Sequence, residues 1–191
     1  MKHPDTYTIH LSADYPVVLD KLDIGGGFCI YSFDMCGESE WNRVAAKELL
    51  GKLQAYDFDA IMTVQTKSCG LAQAMSEQYP RYLEIRKSRK AFMVEPQGVT
   101  VESITTHGKQ ELWIGKEKYQ HFTGKRVCFL DDVVSTGGTI DAVKALAEKI
   151  GVEIAVVACV LTEGTRWTEY KGIPVVSLDH IPLPGKNTGN E

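Results

Sequence analysis

Apolar residues at Trp41, Val44, Ala45, Leu49, Leu50 and Leu53 recur at helical spacing across Glu40 to Gln54, with Ser39 placed to cap the segment. Beyond it the pattern changes. Phe58 to Val64 is mostly apolar and reads as a strand, followed by a polar stretch, Thr66 to Gly70, and a short helix from Leu71 to Gln78. Tyr82 to Ile85 gives a second short strand, and Val99 to Ile104 with Glu111 to Ile114 flank Gly108 as two arms of a hairpin. Arg126 to Leu130 is a strand that runs straight into Asp131 and Asp132. The helix after it sets Ile140, Val143, Leu146, Ala147 and Ile150 on one face, and Gly151 stands where a left-handed C-cap belongs. Glu153 to Leu161 and Pro174 to Leu178 supply two more strands. Strands and helices alternating at this spacing predict right-handed crossovers and an α/β fold, a mostly parallel sheet flanked by helices, with the hairpin as an insertion.

Composition bounds the class. The 191 residues fit one domain, 1–191, and Pro182 to Glu191 reads as a peripheral tail. With 43% hydrophobic and 24% charged residues the chain is neither disordered nor fibrous. The 21 basic and 25 acidic side chains, net −4, leave no basic footprint, so nucleic acid is not an expected partner. No apolar run approaches the roughly 18 residues of a membrane span; the longest, Ile154 to Leu161, suits a buried strand. The first residues, Met-Lys-His-Pro-Asp, lack the apolar core of a signal peptide, and five scattered cysteines suggest reduced thiols, so a cytoplasmic location is expected.

Chemistry concentrates at one place. Val127 to Thr139 passes from an apolar strand, through adjacent Asp131 and Asp132, into Ser135-Thr136-Gly137-Gly138-Thr139, which opens a helix. Ligands of open α/β sheets bind beyond the carboxyl ends of strands, and a helix N-terminus reached through glycines favours an anion such as phosphate. The two acids would repel that phosphate. A ligand carrying hydroxyls or a metal beside its phosphate suits both halves, and a sugar phosphate fits. No G-x-x-x-x-G-K-[ST] occurs, and Gly25-Gly26-Gly27 is not a dinucleotide fingerprint.

Leu130 to Thr139 closely resembles the phosphoribosyl-pyrophosphate (PRPP) motif of the type I phosphoribosyltransferases. The resemblance implies that Asp131 and Asp132 engage the ribose hydroxyls and that Ser135, Thr136, Gly137, Gly138 and Thr139 wrap the 5′-phosphate. It extends to Val64 to Gly70, at the family's pyrophosphate loop, which usually holds a non-proline cis peptide. Thr66, Lys67 and Ser68 are pyrophosphate candidates there. Ile85 to Lys90 resembles the Arg-Lys-x-x-Lys segment of the adenine and xanthine enzymes, adding Arg86, Lys87 and Lys90, with Lys87 counted beside the two acids as catalytic. Residues 95–115 resemble the family's flexible lid hairpin, and 1–39 its base-capping hood, where Phe28 and Tyr31 are candidates to stack on the base. Thr106 stands where the adenine enzymes carry a lid glutamate, and His107 replaces their tyrosine. Asp34 to Glu40 has no evident role. The implied activity moves ribose 5-phosphate from PRPP to a purine, adenine or xanthine favoured, with Mg²⁺ held mainly by PRPP rather than by protein ligands, in a homodimer. A PRPP-binding regulator without transferase activity is the alternative.

Overall fold

Alternation along the central strands sends successive side chains to opposite faces, so a sheet of such strands needs cover on both. The computed structural model describes residues 5–103 and 108–184. In chain order these form β1 (Thr6–Ser12), β2 (Tyr15–Asp23), β3 (Cys29–Tyr31), α1 (Ser39–Leu53), β4 (Ala60–Val64), α2 (Cys69–Met75), β5 (Leu83–Ile85), β6 (Gln97–Ser103), β7 (Gly108–Ile114), α3 (Lys116–Tyr119), β8 (Arg126–Val134), α4 (Gly138–Ile150), β9 (Glu153–Glu163), β10 (Glu169–Tyr170) and β11 (Ile173–Ile181). Six strands make the central sheet in the order β10-β11-β9-β8-β4-β5, all parallel except β10. The α/β architecture read from the sequence is the one observed.

The two faces build two cores. Val127 and Phe129 of β8 pack with Ile140, Val143 and Leu146 of α4, while Cys128 and Leu130 pack with Ala45 and Leu49 of α1 and Leu71 and Met75 of α2. Gly70 lets α2 approach α1 closely, since a Cβ there would lie 3.0 Å from the Asn42 side chain. Strands β1-β2-β3 form a separate antiparallel sheet before α1. Its inward residues Ile9, Leu11, Val17 and Leu19 join the core on the α1 side, and the His10 backbone N–H donates to the Asp179 carboxylate at the end of β11 (2.8 Å). The inserted hairpin pairs from Gln97–Ile114 to Ser103–Gly108. Its base belongs to the α4-side core through Val99, Leu112 and Ile114, and Lys149 donates to the Gly98 carbonyl. Thr106 and His107 lie outside the described residues. Among the described residues no helix is long and apolar enough to cross a membrane.

Several boundaries shift for local reasons. Ser39 does not cap α1; Glu38 holds the N-cap position without a side-chain bond. The entry to the helix is instead fixed by Asn42, whose side-chain amide donates to the carbonyls of Met35 and Glu38. Asp34 also accepts from the Cys36 backbone N–H, which holds its carboxyl below the usual range despite some desolvation. The Asp34 to Glu40 segment is thus a hydrogen-bonded turn into α1. At the other end of the core, β8 continues through Asp131 and Asp132 to Val134, because β9 runs alongside in parallel register as far as Thr162.

Candidate active site

The carboxyl ends of β4 and β8 set the geometry. The two strands pair in parallel, and the Thr63 hydroxyl donates to the Leu130 carbonyl (2.9 Å), so the loop after β4 opens beside the acids of β8. That loop carries a cis peptide at Gln65–Thr66, as the resemblance implied. Gln65 is held to the neighbouring strand β5 twice, by its N–H to the Ile85 carbonyl and by its side chain to Glu84. Ser68 then donates its hydroxyl to Asp131 Oδ1 (3.2 Å), and Lys67 Nζ lies 3.9 Å from Asp132 Oδ2 while donating to the Phe33 carbonyl (3.2 Å). Thr66, Lys67, Ser68, Lys87, Asp131 and Asp132 all line one cleft of about 160 Å³.

A second cleft of about 100 Å³ adjoins it, and Asp131, Val133 and Thr139 line both. Its wall is Ser135 through Thr139, all five residues expected to wrap a phosphate. Gly137 occupies the N-cap position of α4 with φ +84°, a left-handed conformation that places the first-turn N–H groups of a thirteen-residue helix at the cleft. One cleft therefore offers cations and hydroxyls, the other a helix N-terminus with its dipole, and Asp131 stands where they meet.

Asp132 is buried, at 8% exposure, and Asp131 is half-buried beside it. Burial, then the adjacent Asp132 carboxylate, raise Asp131 well above the ordinary carboxylate range, against the opposing bonds from the Asp132 N–H and the Ser68 hydroxyl. A raised pKa has a stability consequence of definite sign. As pH rises, the unfolded chain releases this proton first, so the contribution of Asp131 to stability falls until the folded pKa is passed. Asp131→Asn, which keeps an acceptor for both bonds, is therefore expected to melt above the wild type at about pH 8 and close to it near pH 4. Thermal melts across that range test this, and a lower melting temperature at the alkaline end would contradict it.

Not every expected residue reaches the clefts. Of the basic run after β5, Lys87 alone lines the cleft with the acids. Arg86 turns the other way, into a cavity of about 400 Å³, where its guanidinium lies 5.5 Å from the Phe92 ring centre and 3.7 Å from Glu84. Lys90 is half-buried, its N–H directed at the Met93 sulfur, and it does not line the cleft. Arg86 is still bridged to Trp113, so strand alternation sets it and its neighbour Lys87 on opposite sides, whereas Lys90 lies past the last paired residue. Tyr31 is also misplaced as a base-stacking residue. It is 2% exposed and tilted against Tyr7 in the core. Phe28 is 54% exposed at the end of the Gly25 to Gly27 turn and is not among the residues lining either cleft. Two residues were missed altogether, Trp167 and Tyr170, which press on the Ser135 to Thr139 loop from outside.

Paired carboxylates, a glycine-rich turn into a helix and two lysines thus come together at the carboxyl ends of β4 and β8. Residues 40–186 match the phosphoribosyl transferase domain family, and the chain belongs to that family. The matched span begins in α1 and leaves β1 to β3 outside. The chain is similar to the hypoxanthine/guanine phosphoribosyltransferase of Methanococcus voltae, with 37% identity over 120 residues that cover 61% of this chain and 59% of that protein. It spans 58% to 62% of the length of this relative and of those of the same name from Methanosarcina barkeri and Methanothermococcus okinawensis. Adenine phosphoribosyltransferase from Thermoanaerobacter pseudethanolicus superposes with a TM-score of 0.68 at 19% identity, covering 85% of this chain and 95% of that one. The enzyme of the same name from Rhodothermus marinus gives 0.64 at 20% identity, covering 92% and 94%. At such identities the likeness is one of fold.

Proposed function

We propose that the protein transfers ribose 5-phosphate from PRPP to a purine base, releasing pyrophosphate and a nucleoside 5′-monophosphate. The observation that carries this reading is the pair of adjoining clefts with Asp131 at their junction. PRPP is a ribose with phosphate at one end and pyrophosphate at the other. Its 5′-phosphate suits the Ser135 to Thr139 loop, its pyrophosphate the cleft of Thr66, Lys67, Ser68 and Lys87, and its hydroxyls the two carboxylates between.

In the reaction the bond from C1 of the ribose to the pyrophosphate oxygen breaks, and its electron pair leaves with pyrophosphate. A base nitrogen supplies the pair for the new bond and loses its proton. Lys67 and Lys87 would stabilise charge building on the departing oxygens, a preorganised electrostatic role. Asp131 and Asp132 would hold the ribose so that its reacting carbon faces the base. Among the described residues no three His, Cys, Asp or Glu converge into a metal cage. An oxygen-loving cation brought in by a polyphosphate, as Mg²⁺ commonly is, would meet protein carboxylates at Asp131 and Asp132, and when bound it supplies neutralisation of pyrophosphate charge.

The base is read as a purine, with hypoxanthine and guanine placed ahead of adenine and xanthine. The curated relatives are named for hypoxanthine and guanine, and Arg86 and Lys90, two of the three cations in the segment that resembles the adenine and xanthine enzymes, do not line the cleft. Incubation with magnesium, PRPP and each of hypoxanthine, guanine, adenine, xanthine, uracil and orotate is expected to release pyrophosphate with at least one 6-oxopurine. Release with uracil or orotate alone would overturn the purine assignment. PRPP binding with no release from any base would assign the chain to the regulatory alternative.

A further inference from the structure

The anion loop is gripped from behind by residues that no cleft uses. Trp167, between β9 and β10, donates its indole N–H to the Ser135 carbonyl at 2.7 Å. Tyr170, at 8% exposure, lies so close beneath Gly137 that a Cβ there would sit 2.2 Å from its ring. Its hydroxyl donates to Asp141 Oδ2 (2.9 Å) in the first turn of α4, and Lys171 takes the other oxygen (2.7 Å). The two rings meet edge to face, with centres 5.2 Å apart. Burial, followed by the Asp141 bond, raises the phenol pKa and keeps Tyr170 a proton donor.

The grip falls on atoms that decide which way the loop's dipoles point. In a planar trans peptide the carbonyl and the following N–H point in opposite directions. Anchoring the Ser135 carbonyl towards Trp167 therefore turns the Thr136 N–H away from Trp167, and Ser135 and Thr136 both line the smaller cleft. Tyr170 fixes the next step, since its ring excludes any side chain at Gly137 and its hydroxyl anchors that ring to Asp141 in the first turn of α4.

We propose that Trp167 and Tyr170 are positioning residues that preorganise the 5′-phosphate loop, setting affinity for the phosphate end of the substrate without touching it. The proposal rests on the reading of the smaller cleft as a 5′-phosphate site and deepens it. Preorganised donors bind a charged ligand without spending binding energy on ordering themselves.

Trp167→Phe keeps the ring against Tyr170 and removes only the N–H; Tyr170→Phe keeps the ring under Gly137 and removes only the hydroxyl. Calorimetric titration with PRPP and separately with pyrophosphate, both with magnesium, tests the role. Trp167→Phe is expected to weaken PRPP binding about tenfold, the cost of freeing one well-made hydrogen bond. Pyrophosphate affinity should not change, because its cleft is formed by other loops. Tyr170→Phe should weaken PRPP less, since Lys171 still holds Asp141. In turnover the KM for PRPP should rise with kcat retained. Trp167→Phe binding PRPP as the wild type does, or losing both ligands equally, would overturn the proposal. A wild-type protein that binds pyrophosphate but not PRPP would overturn the reading beneath it, and the positioning role with it.

Discussion

Replacing Asp131 and Asp132 together by Asn is expected to weaken PRPP binding at least a hundredfold while leaving the fold intact. A hydrogen bond to a charged partner is worth roughly 1.5–3 kcal/mol, so losing the charge on two acceptors costs about 3 kcal/mol at the low end, or about two decades of affinity. Asn matches Asp in shape. It still accepts from Ser68 and from the Asp132 backbone N–H, the bonds that position Asp131 now, but it faces a ribose hydroxyl with one acceptor and an amide donor instead of two charged oxygens. Stability should move in the opposite direction from affinity. Burial, and after it repulsion from the adjacent Asp132 carboxylate, hold the Asp131 pKa up in the free protein, and neutralising both residues removes that penalty. Weaker binding in a more heat-stable protein at alkaline pH would separate a functional acid pair from a structural one. Unchanged PRPP affinity in calorimetry would remove both residues from the site.

Legibility differed sharply between local and distant features. The passage from β8 into α4 was readable because each part has a local signature: an apolar run, two acids, hydroxyls and glycines, then helical spacing closed by Gly151, whose φ of +70° is the left-handed cap expected of it. The hairpin was readable for a similar reason, though its arms pair further than expected, from Gln97 to Ser103 and from Gly108 to Ile114. Side-chain direction was harder. Arg86, Lys87 and Lys90 are alike as letters, and only the alternation carried past β5 sends Lys87 to the acids and Arg86 to Phe92. Phe28 and Tyr31 looked equivalent on the hood, yet Tyr31 falls on the inward side of β3 and is consumed by the core. Trp167 and Tyr170 had no local mark at all. Trp167 meets Ser135 across 32 residues because β9 returns the chain to the end of β8, a relation that topology creates and periodicity does not encode.

Gly137→Ala should be among the costliest single-carbon changes in the protein, about 3 kcal/mol, lowering the melting temperature by roughly 6–12 °C for a domain of this size. Two separate terms add. Holding an L residue at φ +84° costs about 1–2 kcal/mol, and the new methyl would enter the Tyr170 ring, 2.2 Å from Cε2 and 2.4 Å from Cζ. The ring has little room to withdraw, since Asp141 holds its hydroxyl and Trp167 packs its edge. Gly138 next door is the control: a Cβ there meets nothing nearer than the Thr136 hydroxyl at 3.8 Å, and its φ is not positive, so Gly138→Ala should be near neutral in stability. Tyr170→Ala separates the two terms. In that background the overlap is gone and only the backbone cost remains, so Gly137→Ala should cost about 1–2 kcal/mol, leaving a coupling of about 1–2 kcal/mol between the sites. The same cost in both backgrounds would mean that the ring does not press on the loop. A coupling in the expected range would mean that glycine is required at 137 as much by the aromatic ring behind the loop as by the anion in front of it.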